Sequence, residues 1–183
     1  MCEYKVTGSQ YVSSMCFVCG TDNEGSLKAQ FLETESGEVV GIFSPSETHQ
    51  SYPGRLHGGI SAAILDELIG RAINIDEPDT FSVTIELSTR YRKPVPYDQP
   101  IKARARVTKN THRMYEGSGE IVLEDGTVAV EATGKYIKLP VDRIAPADFD
   151  TDVDEVIYAD SRPLPSTVQL GGGCSCSSGD QEG

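Results

Sequence analysis

Asp66 is the residue of this chain best placed to act as a general base. It lies in the middle of residues 57–71, HGGISAAILDELIGR, where its neighbours on one side of a helix are alanines and glycines. Such small residues give no reason for a solvent-facing stripe, and a carboxylate in an apolar cleft is a candidate functional group. The alternative is a charge at the exposed edge of a half-buried helix, which is our interpretation of the adjacent Glu67.

Two glycines before this carboxylate open the predicted helix. The first N–H groups of a helix have no partner inside it, and the positive end of the helix dipole points outward from them. Because Gly58 and Gly59 carry no side chains, a substrate oxygen can approach these N–H groups closely. A developing oxyanion needs such donors. His57 precedes the glycines, and we expect it to orient this loop, with service as a general base as the alternative.

The distance between these groups predicts an assembly of two chains. Gly58 and Asp66 are eight residues apart, which is about 12 Å along a helix at ~1.5 Å per residue. One carbonyl group is too small to contact both in the same subunit. If both act on one atom, the amide comes from one subunit and the carboxylate from a second, antiparallel one. The sequence therefore predicts a homodimer.

Around the helix, the hydrophobic pattern predicts an antiparallel sheet. Residues 60–75 are apolar on nearly every face, which predicts a helix buried on all sides. A hairpin precedes the helix and four strands follow it, at residues 28–35, 38–44, 80–93, 101–109, 114–123 and 128–139. This order predicts an α+β fold in which the last four strands form a meander and the curved sheet wraps around one long helix.

Polar and basic residues flank the helix on both sides. Gln50 and Ser51 lie in the loop before it, where they can line a cleft. Half of the sixteen Lys and Arg residues fall between positions 90 and 113, a segment with a single acidic residue. Three of them are candidates for binding the phosphate groups of a ligand: Arg92, Lys93 and Arg113. The alternative is that these charges form the solvated face of long strands.

Composition limits the partners and the compartment. The 183-residue chain has a formal net charge of −12, which argues against nucleic acid and anionic membranes as partners. No apolar run reaches transmembrane length and the N-terminus lacks the apolar stretch of a signal peptide, so we expect a cytoplasmic protein. Composition also divides the chain into a domain at residues 1–140, an acidic extension at 141–170 and a flexible Gly, Ser and Cys tail at 171–183.

Cys16 and Cys19 form a C-x-x-C pair that is followed by a turn. A closed zinc site needs four ligands, and the other cysteine pair, Cys174 and Cys176, is about 155 residues away with unsuitable spacing. A redox pair is expected to open a helix after a strand, and Gly20 speaks against that. The odd total of five cysteines suits a reducing compartment. We therefore expect buried structural thiols, and neither a metal nor a cofactor.

Over roughly residues 16–139, the chain resembles the hotdog-fold acyl-CoA thioesterase superfamily. The match rests on HGG followed by Asp66, nine residues after His57, with QSYPGRL before the motif. A second match is CFVCG, which is similar to the Cys-Phe-x-Cys-Gly opening of one branch of phenylacetate-pathway-type thioesterase-like proteins. Members of the superfamily wrap an antiparallel sheet around one central helix and work as dimers or dimers of dimers. The resemblance implies a hotdog fold here, in a homodimer or homotetramer.

The resemblance also implies roles for individual residues. The Gly58 amide would polarise a thioester carbonyl, and Asp66 of the partner subunit would activate water or attack directly. Thr84, eighteen positions after Asp66, would help to hold the water. Several members place Asn six residues before the motif His, where this chain has Ser51, and the adjacent Gln50 is a possible substitute.

Three hypotheses for the function follow. The first is hydrolysis of an acyl-CoA thioester with Asp66 as base or nucleophile. The alternative is a non-catalytic acyl-CoA-binding or regulatory module, which is motivated by Ser51 in place of Asn. A hydratase acting on an acyl-CoA double bond ranks last, because the chain has three His residues and no second His-Asp pair visible by spacing.

Overall fold

A single long helix lies across an eight-stranded antiparallel sheet. The computed structural model describes residues 2–140, 143–144 and 157–171. Helix α1 (Gly58–Arg71) is continued by a 3-10 helix, Ala72–Ile75, and a 3-10 turn, Glu47–His49, precedes it. The strands in chain order are β1 (Cys2–Ser9), β2 (Val12–Ser13), β3 (Gln30–Thr34), β4 (Val39–Phe43), β5 (Gln50–Tyr52), β6 (Arg55–Leu56), β7 (Ser82–Tyr91), β8 (Ile101–Asn110), β9 (Met114–Val122), β10 (Val128–Lys138), β11 (Ile157–Tyr158) and β12 (Thr167–Leu170).

The strand order in the large sheet is β12-β1-β3-β4-β8-β9-β10-β7. The predicted hairpin before the helix is confirmed as β3 and β4, with Gly37 at φ 73° in the turn. The predicted four-strand meander is wrong, because β7 pairs with β10 and not with β8. The reason is that α1 packs across β4, β8, β9 and β10 before the chain enters β7, which therefore joins the far edge of the sheet.

Helix α1 buries one face against this sheet. Ile64, Leu65, Leu68 and Ile69 are fully buried there, and each such side chain stabilises the fold by about 1.5–3 kcal/mol. At Gly117 of β9 a Cβ atom would lie 2.5 Å from Ile69 Cγ2, so the close approach of the helix at this position requires glycine. The prediction of burial on all sides is wrong for a single chain, because one sheet covers one side of a helix. The opposite face is half-exposed and carries Ala62, Ala63, Asp66, Glu67 and Gly70.

Residues beyond the predicted domain boundary at position 140 also take part in the sheet. β12 pairs with β1, and its Val168 and Leu170 pack with Leu32 and Val40 in a second apolar cluster. The division of the chain at this boundary stays a prediction, and residues 172–183 of the predicted tail lie outside the described residues. Within the described parts of the chain, no helix combines the length and the hydropathy needed to span a membrane.

Candidate active site

The N-terminus of α1 is capped by the residue before it. His57 has extended backbone angles, φ −63° and ψ 135°, and its Nδ1 accepts a 2.9 Å hydrogen bond from the N–H of Gly59. An imidazole that accepts at Nδ1 carries its proton on Nε2. The His57 carbonyl also accepts the N–H of Ile60. These contacts support the orienting role that we expect for His57.

The peptide of Gly58 is held in place while its N–H stays available. The Tyr91 hydroxyl donates a 2.8 Å hydrogen bond to the carbonyl oxygen of Gly58. Among the residues that the structure describes, the Gly58 N–H donates to no protein atom, whereas the Gly59 N–H is used by His57. Because the Gly58 N–H stands at the positive end of the helix dipole, it is a donor suited to an oxyanion. We call its surroundings the amide half of the site.

A cleft of about 310 Å³ opens beside the amide half and is lined by Phe17, Thr48, His49, Gln50, His57, Gly59 and Ile60. The Gln50 side chain is fixed, because its Oε1 accepts a 3.1 Å hydrogen bond from the Tyr97 hydroxyl. That hydroxyl accepts in turn from the Gly54 N–H at 2.9 Å. Ser51 follows in β5 and is exposed. The structure thus brings Gln50 to the amide half, with its acceptor oxygen already engaged.

The carboxylate of Asp66 is held by two hydroxyl groups from the sheet. Its Oδ1 accepts a 2.8 Å hydrogen bond from Thr84 of β7. The Tyr136 hydroxyl of β10 lies 3.1 Å from both Oδ1 and the backbone oxygen of Asp66, and donates to them. Within the described residues, no protein group donates to Oδ2. One carboxylate oxygen is therefore anchored while the other is available to a water molecule, and we call this region the carboxylate half.

Two stacked tyrosines support the carboxylate half, and neither is predicted from the sequence. Tyr115 and Tyr136 lie with ring centroids 5.0 Å apart and planes at 9°. Burial and the Asp66 carboxylate raise the pKa of Tyr136, so its hydroxyl stays protonated and donates. Burial raises the pKa of Tyr115 to about 12, and its hydroxyl donates to the Gly70 carbonyl at 2.7 Å. The available signal was that both tyrosines occupy inward positions of strands with alternating burial.

The carboxylate half opens into a cavity of about 690 Å³, a volume typical of small-molecule sites. Asp66 and Thr84 lie in its wall with Tyr136, and Glu67 and Arg71 extend the wall along α1. Phe81 and Ile75 contribute apolar surface. The cavity therefore combines the anchored Asp66 carboxylate with a wall of mixed polar and apolar side chains.

The three basic residues predicted to bind phosphate do not form one cluster. Arg92 makes two hydrogen bonds to the Glu131 carboxylate, at 2.8 and 2.9 Å, while Lys93 is exposed beside it. Arg113 is exposed before the start of β9. The pairing of β7 with β10 places Arg92 and Arg113 at opposite ends of these strands, since Tyr91 pairs with Val130 while Lys138, which contacts Arg113, pairs with Ser82. Within one chain, these residues cannot bind the same phosphate group.

The two halves of the site lie on one helix but open into different clefts. α1 is continuous from Gly58 to Arg71, so Gly58 and Asp66 are separated by about 12 Å. The lining of the 310 Å³ cleft shares no residue with that of the 690 Å³ cavity. Each half lacks the reactive group that the other carries.

Comparison with known proteins relates this architecture to a known family. Residues 53–130 match the model of the Thioesterase superfamily. A thioesterase superfamily protein of known crystal structure is 30% identical in sequence to this chain. The match covers 67% of this chain and 59% of that one, with a TM-score of 0.61. The PaaI protein from the phenylacetic acid degradation operon of E. coli is 17% identical with a TM-score of 0.56, over 62% of this chain and 81% of that one, which is a likeness of fold.

Among curated sequences, an uncharacterized protein of Schizosaccharomyces pombe is 26% identical over 112 residues. That match covers 59% of this chain and 64% of the yeast protein, so the chain spans less than two thirds of this relative and of the 30% identical structure. The resemblance to the thioesterase superfamily and the predicted fold class are confirmed by these matches, while the branch with the Cys-Phe-x-Cys-Gly opening stays a prediction. With one central helix on an antiparallel sheet, the chain has the hotdog fold, and its residues 53–130 match the Thioesterase superfamily.

Proposed function

We propose that the protein hydrolyses an acyl-CoA thioester to the free acid and coenzyme A. The observation that carries this proposal is the pair of groups on α1. The Gly58 N–H at the helix start donates to no protein atom of the described residues, and the Asp66 carboxylate has one anchored and one available oxygen. Thioester hydrolysis needs a donor for the developing oxyanion and a base for the attacking water. These two groups are of the required kinds.

The proposed reaction uses one group from each of two subunits. The Gly58 N–H of one subunit donates to the thioester carbonyl oxygen, while Asp66 of the partner subunit takes a proton from water through Oδ2. The water oxygen bonds to the carbonyl carbon, and the tetrahedral oxyanion then collapses with cleavage of the C–S bond. The thiolate of coenzyme A leaves and receives the proton from Asp66. Direct attack by the carboxylate, followed by hydrolysis of the anhydride, is the variant that uses Asp66 as nucleophile.

The surface of the single chain supports this assembly. The half-exposed face of α1 carries small side chains, over which a second helix can pack closely. β7 forms one edge of the sheet, and large apolar side chains on or beside it are exposed: Phe81 by 39%, Ile85 by 54% and Tyr91 by 51%. An edge strand with such side chains is a surface that a second copy would cover. The proposed assembly is a homodimer or a dimer of dimers.

Recognition of coenzyme A is assigned to the basic residues and to the amide-half cleft. Lys93 and Arg113 are exposed, and Arg92 becomes available to a phosphate by exchanging its partner Glu131. Gln50 and Ser51 border the approach to Gly58. The free thiols of Cys16 and Cys19 are compatible with the reducing cytoplasm that the proposal includes.

Release of free thiol from a panel of short, long and aromatic acyl-CoAs tests the function. The natural chain should hydrolyse one class, and Asp66→Asn should reduce turnover by about 10²–10⁴-fold while acyl-CoA binding persists. Asp76→Asn, at an exposed position after α1, is the matched control. Binding without hydrolysis by the natural chain would instead support the alternative, a non-catalytic acyl-CoA-binding or regulatory module, for which Ser51 and the engaged Gln50 are the motivation.

A further inference from the structure

The C-x-x-C segment forms a tight turn beside α1 that holds two sulfur atoms together. The Sγ of Cys16 accepts the N–H of Val18 at 3.3 Å, and the Cys16 carbonyl accepts the N–H of Gly20 at 2.8 Å. A Cβ atom at Gly20 would lie 2.3 Å from that carbonyl oxygen, so the turn requires glycine. Cys19 is buried and Cys16 is half-buried, and both thiols are free. The turn thus presents both sulfurs on one side, toward the helix.

A third ligand group comes from the helix. One carboxylate oxygen of Glu67 and the Sγ atoms of Cys16 and Cys19 lie within 4.8 Å of one another. Arg71 holds this group from the side, since its Nε donates to Glu67 Oε1 at 2.7 Å and its Nη2 to Cys19 Sγ at 3.5 Å. Zinc is not predicted from the sequence, because the chain lacks four suitably spaced cysteines and Glu67 is expected at a solvent-facing edge.

We propose that Cys16, Cys19 and Glu67 bind a zinc ion, with a water molecule as the fourth ligand. Thiolate sulfur and a carboxylate oxygen are established zinc ligands, and three protein ligands with one open position form a recognised type of zinc site. With Zn–S distances of about 2.3 Å, ligand atoms in a tetrahedral site are about 3.8 Å apart. The three ligand atoms, which lie within 4.8 Å of one another, therefore need to move together by about 1 Å to bind the ion.

Charge balance supports a divalent cation at this position. Two thiolates and one carboxylate carry three negative charges, and Arg71 supplies one positive charge. Zinc neutralises the remaining two, and the thiol protons are released to solvent when it binds. Arg71 keeps its hydrogen bonds to Glu67 Oε1 and to the Cys19 sulfur, as groups around metal ligands commonly do. The ion ties the N-terminal turn to α1 at the residue next to Asp66.

Metal analysis of the full chain tests the proposal. The natural protein, purified without chelators, should contain stoichiometric zinc, and substitution by cobalt(II) should give the thiolate-to-metal charge-transfer band of a tetrahedral site. Glu67→Gln keeps both thiols and should weaken zinc binding, measured by chelator competition, by more than about tenfold. Cys16→Ser should remove the metal, while the double variant Cys174→Ser, Cys176→Ser in the tail should retain it.

The same measurements can overturn the proposal. Absence of zinc together with absence of the cobalt band does so, as does a mass corresponding to a Cys16–Cys19 disulfide. Loss of zinc in the tail double variant would assign the metal to a four-cysteine site without Glu67. Because the cobalt spectrum is recorded on the natural chain, the test does not depend on the folding of any variant.

Discussion

The amide half and the carboxylate half are built from different parts of the chain. In the amide half, the cap and the donor come from consecutive residues, His57 to Gly59, and the reactive group is a backbone N–H. In the carboxylate half, Asp66 meets Thr84 and Tyr136, which are 18 and 70 residues further along the chain. The amide half therefore depends on local conformation, whereas the carboxylate half depends on how the helix packs on the sheet. Substitutions in the two halves should fail for different reasons.

Gly58→Pro tests the amide half through a single donor, and it should cause a larger loss than Thr84→Val or Glu77→Gln. Proline lacks an N–H but is favoured at the first position of a helix, and His57 at ψ 135° already has the conformation that a following proline requires. Hydrolysis of acyl-CoA should fall by about 10²–10³-fold, with little change in the temperature of thermal unfolding. Initial rates of thiol release measure the loss.

Gly58→Ala is the matched control, because alanine keeps the N–H. A Cβ atom at Gly58 would lie 3.5 Å from the Tyr91 ring, which is an ordinary contact. The alanine variant should therefore retain most of the activity. Equal losses in the two variants would mean that space at this position matters rather than the donor, and the role assigned to the amide would be wrong.

A hybrid dimer tests whether the two halves come from different subunits. In a dimer of one Gly58→Pro chain and one Asp66→Asn chain, both defects fall in one site and the other site is intact. The hybrid, isolated through two different affinity tags, should recover about half of the natural activity, while each variant alone stays nearly inactive. If each site lay within one chain, the hybrid would contain no intact site and would stay as inactive as its parents.

Thr84→Val tests the carboxylate half by removing one hydroxyl group at nearly constant side-chain volume. The 2.8 Å bond to Asp66 Oδ1 is lost, while the Tyr136 contact remains. A hydrogen bond to a charged group contributes about 1.5–3 kcal/mol, but since one anchor is retained we expect turnover to fall by only about tenfold. Thr84→Ser keeps the hydroxyl and should restore most of the rate. A serine variant as slow as the valine variant would assign Thr84 a packing role.

The same difference between the halves decides what could be predicted from the sequence. The helix start was predictable because HGG encodes it locally, and α1 begins at Gly58. Regular strands were predictable from hydrophobic alternation, and the strand expected at residues 101–109 is Ile101–Asn110. Thr84 was identified through family resemblance, since no local pattern links it to Asp66. Tyr136 was missed because its partner lies 70 residues away.

The sequence also did not predict which strands are neighbours in the sheet. The alternation in β7 predicts a strand without specifying its neighbour, so its place beside β10 was not found. The pairing of Arg92 with Glu131 follows from that neighbour, because the two residues come from the adjoining ends of these strands. Charge counting alone placed Arg92 in a phosphate-binding patch. Partners set by tertiary packing are therefore the part of this site that needed a structure.

An ionic cluster around Glu77, after the end of the helix, stabilises the carboxylate half. Lys138 of β10 donates to both carboxylate oxygens of Glu77, at 2.7 and 2.8 Å, and Asn110 and Thr80 also donate. Hydrogen bonds from Lys138, Asn110 and Thr80 lower the pKa of Glu77 from 4.5 to about 2. In the amide half, the contacts at Gly58 and Gln50 come from tyrosine hydroxyls. Acid should therefore weaken these contacts of Glu77 in the carboxylate half.

Glu77→Gln should produce the smallest effect, a loss of unfolding free energy that depends on pH. The lowered pKa of Glu77 determines the direction of this dependence. A carboxyl whose pKa is lower in the folded state stabilises the fold above its unfolded pKa, near 4.5, and loses that contribution as pH falls toward about 2. Because the pair is partly exposed, the variant should lose about 1 kcal/mol of unfolding free energy at pH 7. More than half of this stability difference between the natural chain and the variant should be lost by about pH 3. Denaturant unfolding at both pH values measures it, with Glu24→Gln at an exposed turn as the control. A difference independent of pH would mean that Glu77 acts through packing, and its contacts in the carboxylate half would then not be acid-sensitive.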